Sequence, residues 1–154
     1  MLHFAYGSNM HHAVMRKHAP AAEPVGVATL AAHRFIIAAD GYASVAPASG
    51  ASVYGLLWRI TPRDRVTLDA WENVEGGLYR AATLPVLQHG QHSPALVYIA
   101  RDGPVGRPRA GYMEVVVEAA RALELPADYI ALLEEWLPKG PADATQPNFG
   151  DSFR

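Results

Sequence analysis

The chain has 154 residues, 50% of them hydrophobic and 18% charged. This supplies one buried core with at most a tail, and it argues against wholesale disorder. Lys and Arg total 13 against 15 Asp and Glu, a formal charge of -2, so no basic excess exists to hold a phosphate backbone or an anionic membrane. There is no cysteine, which excludes disulfide scaffolds, thiol nucleophiles and thiolate zinc sites.

Residues Met1 to Gly7 lack the basic region and long apolar run of a signal peptide. No stretch approaches the ~18 apolar residues of a membrane span, so a cytoplasmic location is expected. Leu2 to Tyr6 reads as a short strand cut by Gly7-Ser8-Asn9, and His11 to Lys17 as a short helix with Ser8 or Asn9 near its cap. Val25 to Leu30 and Arg34 to Ala38 read as strands around a polar joint at His33-Arg34, and Ala43 to Ala46 as another between Gly41 and Pro47. Val53 to Ile60 is the clearest strand; Gly55 inside it marks a bulge, a sharp bend or close approach of another backbone. Thr61-Pro62-Arg63-Asp64 starts a helix that runs to about Glu72, with Leu68 and Trp71 facing inward. Strands follow at Leu78 to Leu87 and Ala95 to Ala100. Ala110 to Glu124 spaces Tyr112, Met113, Val116, Ala120 and Leu123 at helical intervals, and Pro126 opens a helix striped by Tyr129, Ile130, Leu133 and Trp136. Residues 138–154 are rich in Pro, Gly and polar side chains and read as a tail on a domain of residues 1–137, with Phe149 and Phe153 available to dock it. Strands first and a helical pair last predict an α+β fold, a curved sheet or small barrel flanked by helices.

Two segments could carry chemistry. The turn in Phe4-Ala5-Tyr6-Gly7-Ser8-Asn9-Met10 can aim several backbone N–H groups at an anion or a carbonyl oxygen, although an ordinary strand-to-helix turn has the same sequence. The second is Leu68 to Arg80. Glu72 falls at a helix C-terminus, one turn after Asp69, and both the dipole and the neighbouring acid raise its expected pKa, more so if it is buried beside Trp71 and Tyr79. A carboxyl tuned this way can take and give a proton; the alternative is a solvated acidic helix face. The seven histidines show no helical metal-ligand spacing and read as exposed and metal-free. Tyr6, Tyr79, Tyr98 and Tyr112 could line a pocket or sit in the core with a polar tip at the surface, whereas Trp58 and Trp136 read as packing residues. No serine nucleophile elbow, phosphate loop or dinucleotide turn is present.

In combination these segments resemble the γ-glutamylcyclotransferase family, which includes the avirulence-induced-gene-like proteins. The resemblance rests on Phe4 to Met10, on Gly41-Tyr42-Ala43-Ser44-Val45, on Val53-Tyr54-Gly55-Leu56-Leu57-Trp58, and above all on Leu68-Asp69-x-x-Glu72 followed by Gly77-Leu78-Tyr79-Arg80. Arg109-Ala110-Gly111-Tyr112 and Leu125-Pro126-x-x-Tyr129 extend it to about Trp136. It implies a small mixed β-barrel flanked by helices. It also implies conversion of a γ-glutamyl amide to 5-oxoproline and a free amine, without cofactor or metal. The family's acid/base falls on Glu72 and its substrate loop on Phe4, Ala5, Tyr6, Gly7, Ser8 and Asn9, with Tyr79, Tyr98 and Tyr112 lining the pocket. The implied partner is a small γ-glutamyl molecule; a homodimer and a non-catalytic ligand-binding role stay open. Two departures from the family pattern stand out. Asn73 follows Glu72 where Gly is frequent, and Asn tolerates the left-handed turn. Ala81 follows Arg80 where many relatives carry a second arginine.

Overall fold

The computed structural model describes residues 1–139, so most of the expected tail, including Phe149 and Phe153, lies outside the described residues. Along the chain come β1 (Leu2–Ala5), a 3-10 turn (Ser8–Met10), α1 (His12–His18), β2 (Glu23–Ile37), β3 (Ala43–Arg59) and α2 (Pro62–Trp71). Then follow β4 (Tyr79–Gln88), β5 (Gln91–Ala100), α3 (Tyr112–Ala122) and α4 (Ala127–Glu134). The strands close into a barrel in the order β1, β3, β2, β4, β5. β1 runs antiparallel to β3, with Phe4 opposite Leu57, and parallel to β5, with His3 opposite Leu96; the other pairs are antiparallel. This is the expected α+β architecture, a mixed five-stranded barrel with helices around it. No helix among the described residues is long and apolar enough to cross a membrane.

Two pairs of expected strands prove to be single bent strands. The segments around Val25 to Leu30 and Arg34 to Ala38 join as β2, and those around Ala43 to Ala46 and Val53 to Ile60 join as β3. The ladder steps from Ala31 opposite Ser52 to His33 opposite Pro47, passing a bulge at Ala32, whose φ is 58°. Pro47 reads as a strand end, yet it lies in register opposite His33, and the irregularity beyond it lets β3 bend and continue around the barrel. Inside, Phe4, Leu30, Ile37, Val53, Val86 and Val97 are buried, and Met113, Val116 and Ala120 of α3 belong to the same core. Trp58 is buried and Trp136 packs edge-on to Phe35, as expected of packing residues.

Local chemistry sets the ends of α2. Thr61 Oγ1 accepts from Asp64 N–H at 3.1 Å, and Asp64 Oδ2 accepts from Thr61 N–H at 3.0 Å, a reciprocal cap. At the other end Glu72 is the C-cap and Asn73 takes φ 50°, the left-handed conformation that Gly would otherwise supply. Val74 N–H then donates to Asp69 O, and Asn73 Oδ1 accepts from Gly76 N–H. The chain therefore leaves the helix sharply and Glu72 stays at the barrel edge.

α1 departs from expectation. Its N-cap is His11, whose Nδ1 accepts from Ala13 N–H, and neither Ser8 nor Asn9 caps it. Those two residues close a 3-10 turn of their own, with Met10 N–H donating to Gly7 O and His11 N–H to Ser8 O.

Candidate active site

The turn after β1 and the C-terminus of α2 meet at one cavity of about 30 Å³, enough to admit water. One side is built from Phe4, Ala5, Tyr6, Gly7, Ser8 and Asn9. Glu72, Tyr79, Tyr98 and Tyr112 complete it, together with His3 and Ala43. Glu72 is 5% exposed, so it is not part of a solvated acidic face. Trp71, expected beside it, is half-buried and instead stacks on His18 at 3.6 Å between ring centroids. Side chains one position apart on a helix point in different directions.

Each tyrosine hydroxyl is tied to the protein. Tyr6 Oη donates to Tyr98 O at 2.5 Å and Tyr79 Oη to Ala43 O at 2.9 Å. Tyr98 Oη donates to Asp69 Oδ1 at 2.6 Å, and the same oxygen accepts from Arg65 Nε at 2.8 Å. Asp69 is thus engaged by Arg65 and Tyr98 one turn before Glu72, and Arg65 offsets part of the acidic charge expected to act on Glu72. Burial pushes the Tyr98 phenol above its ordinary pKa, and the hydrogen bond to Asp69 adds to this.

Tyr112 shows where the backbone donors go. Its Oη accepts from Ser8 N–H at 3.4 Å and from Ala43 N–H at 3.2 Å. Two donors, one from the turn and one from the start of β3, thus converge on a phenol oxygen. Gly7 is required for the approach, since a Cβ there would come within 2.6 Å of Tyr112 Oη. Tyr112 opens α3 directly after Gly111, which has φ 80°. Its ring packs edge-on against Tyr42 at 5.2 Å, and the Arg109 guanidinium covers the Tyr42 ring.

The histidine reading needs correction. His18 is half-buried against Trp71, and His3 is 2% exposed, beneath the Tyr98 ring and in the cavity wall. His3 lies opposite Leu96 where β1 pairs with β5, and that strand with the Tyr98 ring encloses it. Its Nδ1 lies 3.1 Å from Leu96 O. Burial pushes its pKa down to about 4 from 6.5. Such an imidazole binds fewer protons folded than unfolded between those two values, so its contribution is complete above pH 6.5 and is lost as the pH falls toward 4. Between pH 7 and pH 5 this should cost about 2 kcal/mol. Urea denaturation at the two pH values should show the loss, and His3→Phe should remove that part of the slope. An unchanged slope in the variant would show that His3 is not the group responsible. His18 has the same sign of shift, caused first by burial and then by Lys17.

Among the described residues no cluster of three or more His, Asp or Glu is placed to hold a metal. A wider groove of about 680 Å³ lies between α4 and the β2–β3 arm, lined by Phe35, Tyr54, Tyr129 and Trp136. Its charged residues, Arg34, Asp128 and Glu135, are exposed at the rim, whereas the smaller cavity holds a buried carboxyl.

A model of the AIG2-like family matches residues 52–133, a stretch that includes Glu72, Tyr79, Tyr98 and Tyr112. The chain belongs to the AIG2-like family. Among solved structures it is similar to one described as a gamma-glutamyl cyclotransferase, at TM-score 0.84 and 23% identity over 90% of this chain and 89% of that one. It is also similar to the uncharacterized protein loc79017 from Homo sapiens, at TM-score 0.82 and 24% identity over 90% and 88% of the two chains. YkqA from Bacillus subtilis matches at TM-score 0.77 and 27% identity over 91% of this chain and 56% of that one. No curated protein matches the chain significantly. This AIG2-like chain therefore shares the cyclotransferase-type barrel.

Proposed function

We propose that this AIG2-like protein is a cofactor-independent γ-glutamylcyclotransferase that converts a γ-glutamyl amide to 5-oxoproline and a free amine. The observation that carries the reading is a buried carboxyl, Glu72, sharing one cavity with the Tyr6–Asn9 turn. The fold shared with a gamma-glutamyl cyclotransferase supports it.

The chemistry is an intramolecular aminolysis. The substrate's α-amino nitrogen attacks its own γ-carbonyl carbon, a C–N bond of the five-membered lactam forms, and the bond from that carbon to the leaving nitrogen breaks. Nucleophile and electrophile lie in one molecule, so the protein has to fold the substrate and move protons. Glu72 accepts a proton from the attacking nitrogen and delivers it to the departing one. Backbone N–H groups around Gly7 and Ser8 suit the substrate carboxylate or the oxyanion developing on the γ-carbonyl, with Tyr112 Oη giving up the Ser8 donor it holds in the unliganded protein.

The test is 5-oxoproline release over a panel of γ-glutamyl dipeptides, γ-glutamylamines and glutathione. Release from at least one member is the expected result. Silence across the panel with folded protein would overturn the enzyme reading in favour of a ligand-binding module of the same fold.

A further inference from the structure

Two buried acceptors in the cavity wall have no hydrogen-bond partner among the described residues: Nε2 of His3 and Oδ1 of Asn9. Unpaired buried polar atoms are costly and few in folded proteins, and when they border a cavity they point to a group that arrives from outside. His3 is held rigidly for such a task. Nδ1 faces Leu96 O at 3.1 Å, which fits the tautomer with its proton on Nδ1 and leaves Nε2 with a lone pair. The Tyr98 ring fixes the imidazole plane by an edge contact at 5.4 Å. Burial keeps the ring uncharged near neutral pH, so it neither repels a cation nor needs to lose a proton before accepting one hydrogen bond.

The N–H groups of Ser8 and Ala43 are held by Tyr112 Oη, an oxygen of the wall itself. The acceptors suit nitrogen. An attacking primary amine carries one lone pair and two hydrogens. One hydrogen is the one Glu72 removes; the other needs an acceptor that binds it without taking it, and a neutral imidazole nitrogen of low basicity is such an acceptor.

We propose that His3 Nε2 accepts a hydrogen bond from the α-amino group of a γ-glutamyl substrate, with Asn9 Oδ1 receiving a further hydrogen of the ammonium form in which that substrate arrives. His3 is then the residue that selects ligands for a free α-amine. The assignment rests on the γ-glutamyl reading of the cavity, and no proton is transferred to His3.

The test uses the full chain carrying Glu72→Gln, so that γ-glutamyl-alanine binds without turning over, and compares it with glutaryl-alanine, the same molecule without the α-amine. Adding His3→Phe should weaken γ-glutamyl-alanine roughly tenfold to a hundredfold, the loss expected for one hydrogen bond to a charged group. Glutaryl-alanine should be unaffected, and His3→Gln, which keeps an acceptor, should restore part of the preference. A second readout needs no change at residue 3. In nitrogen-15-labelled protein the His3 Nε2 resonance should move when γ-glutamyl-alanine is added and stay in place with glutaryl-alanine. Equal weakening of both ligands, or a resonance indifferent to the amine, would overturn the assignment of His3 while leaving the enzyme reading intact. Failure of Glu72→Gln to bind either ligand, together with no 5-oxoproline release by the unsubstituted protein, would remove both.

Discussion

Glu72→Gln should fold like the parent protein and lose on the order of 10²–10⁴ of its 5-oxoproline release, the usual worth of a positioned proton carrier. The amide is nearly the same size as the carboxyl and keeps an oxygen and a nitrogen at the same places, so packing at the helix end is retained. It cannot accept a proton from the attacking amine or return one to the leaving nitrogen. The measurement is steady-state turnover of an active γ-glutamyl compound alongside a thermal melt. Near-parental turnover in a folded variant would falsify the mechanism, because no other carboxyl lines the cavity among the described residues. The loss should fall on kcat and kcat/KM alike, since the proton transfer belongs to the transition state and not to substrate binding.

Gly55→Ala should destabilise the fold by roughly 3 kcal/mol, the upper end of usual overpacking costs. A Cβ at Gly55 would be driven into the carbonyl oxygen of Ala5 and the ring of Phe4. Neither can yield freely. Ala5 is held in β1 opposite Leu56, and Phe4 is fully buried in the barrel. The variant should show a lower midpoint in urea denaturation. Residual activity per folded molecule should fall as well, because Phe4 and Ala5 form one wall of the cavity. A midpoint shift equivalent to less than about 0.5 kcal/mol, the range of ordinary surface changes, would mean that β1 has room to move and that Gly55 is not a contact point.

Gly55 illustrates how a local signal can state a constraint without its partner. A glycine in a run of Val, Tyr, Leu, Trp and Ile announces a bulge, a bend or a close neighbour. Only the pairing of β1 with β3 shows that the neighbour is Ala5. The reading of Asn73 is a more complete case. Its tolerance of positive φ follows from its side chain alone, and the structure places it at φ 50°. The strand breaks were read too literally. Pro47 stays paired opposite His33, and the register shift between it and Ser52 bends β3 without ending it.

The site was legible as residues and illegible as geometry. Glu72, the turn from Phe4 to Asn9, and Tyr79, Tyr98 and Tyr112 can all be named from motifs, and all border one cavity. What no motif indicated is that Ser8 N–H and Ala43 N–H end on Tyr112 Oη, or that Tyr98 engages Asp69. His3 reads as exposed because histidine is a polar type, while the pairing of β1 with β5 and the Tyr98 ring, both distant in the chain, bury it.

The sequence by itself determined the order of elements, the caps of α2 and the chemical types in the motifs, because these depend on interactions within a few residues. Closure of the barrel decided the rest. It brings residues 3–9, 43, 72, 79, 98 and 112 around one space of about 30 Å³, and contacts between positions so far apart in the chain arise from strand register and helix packing, which local propensities do not encode.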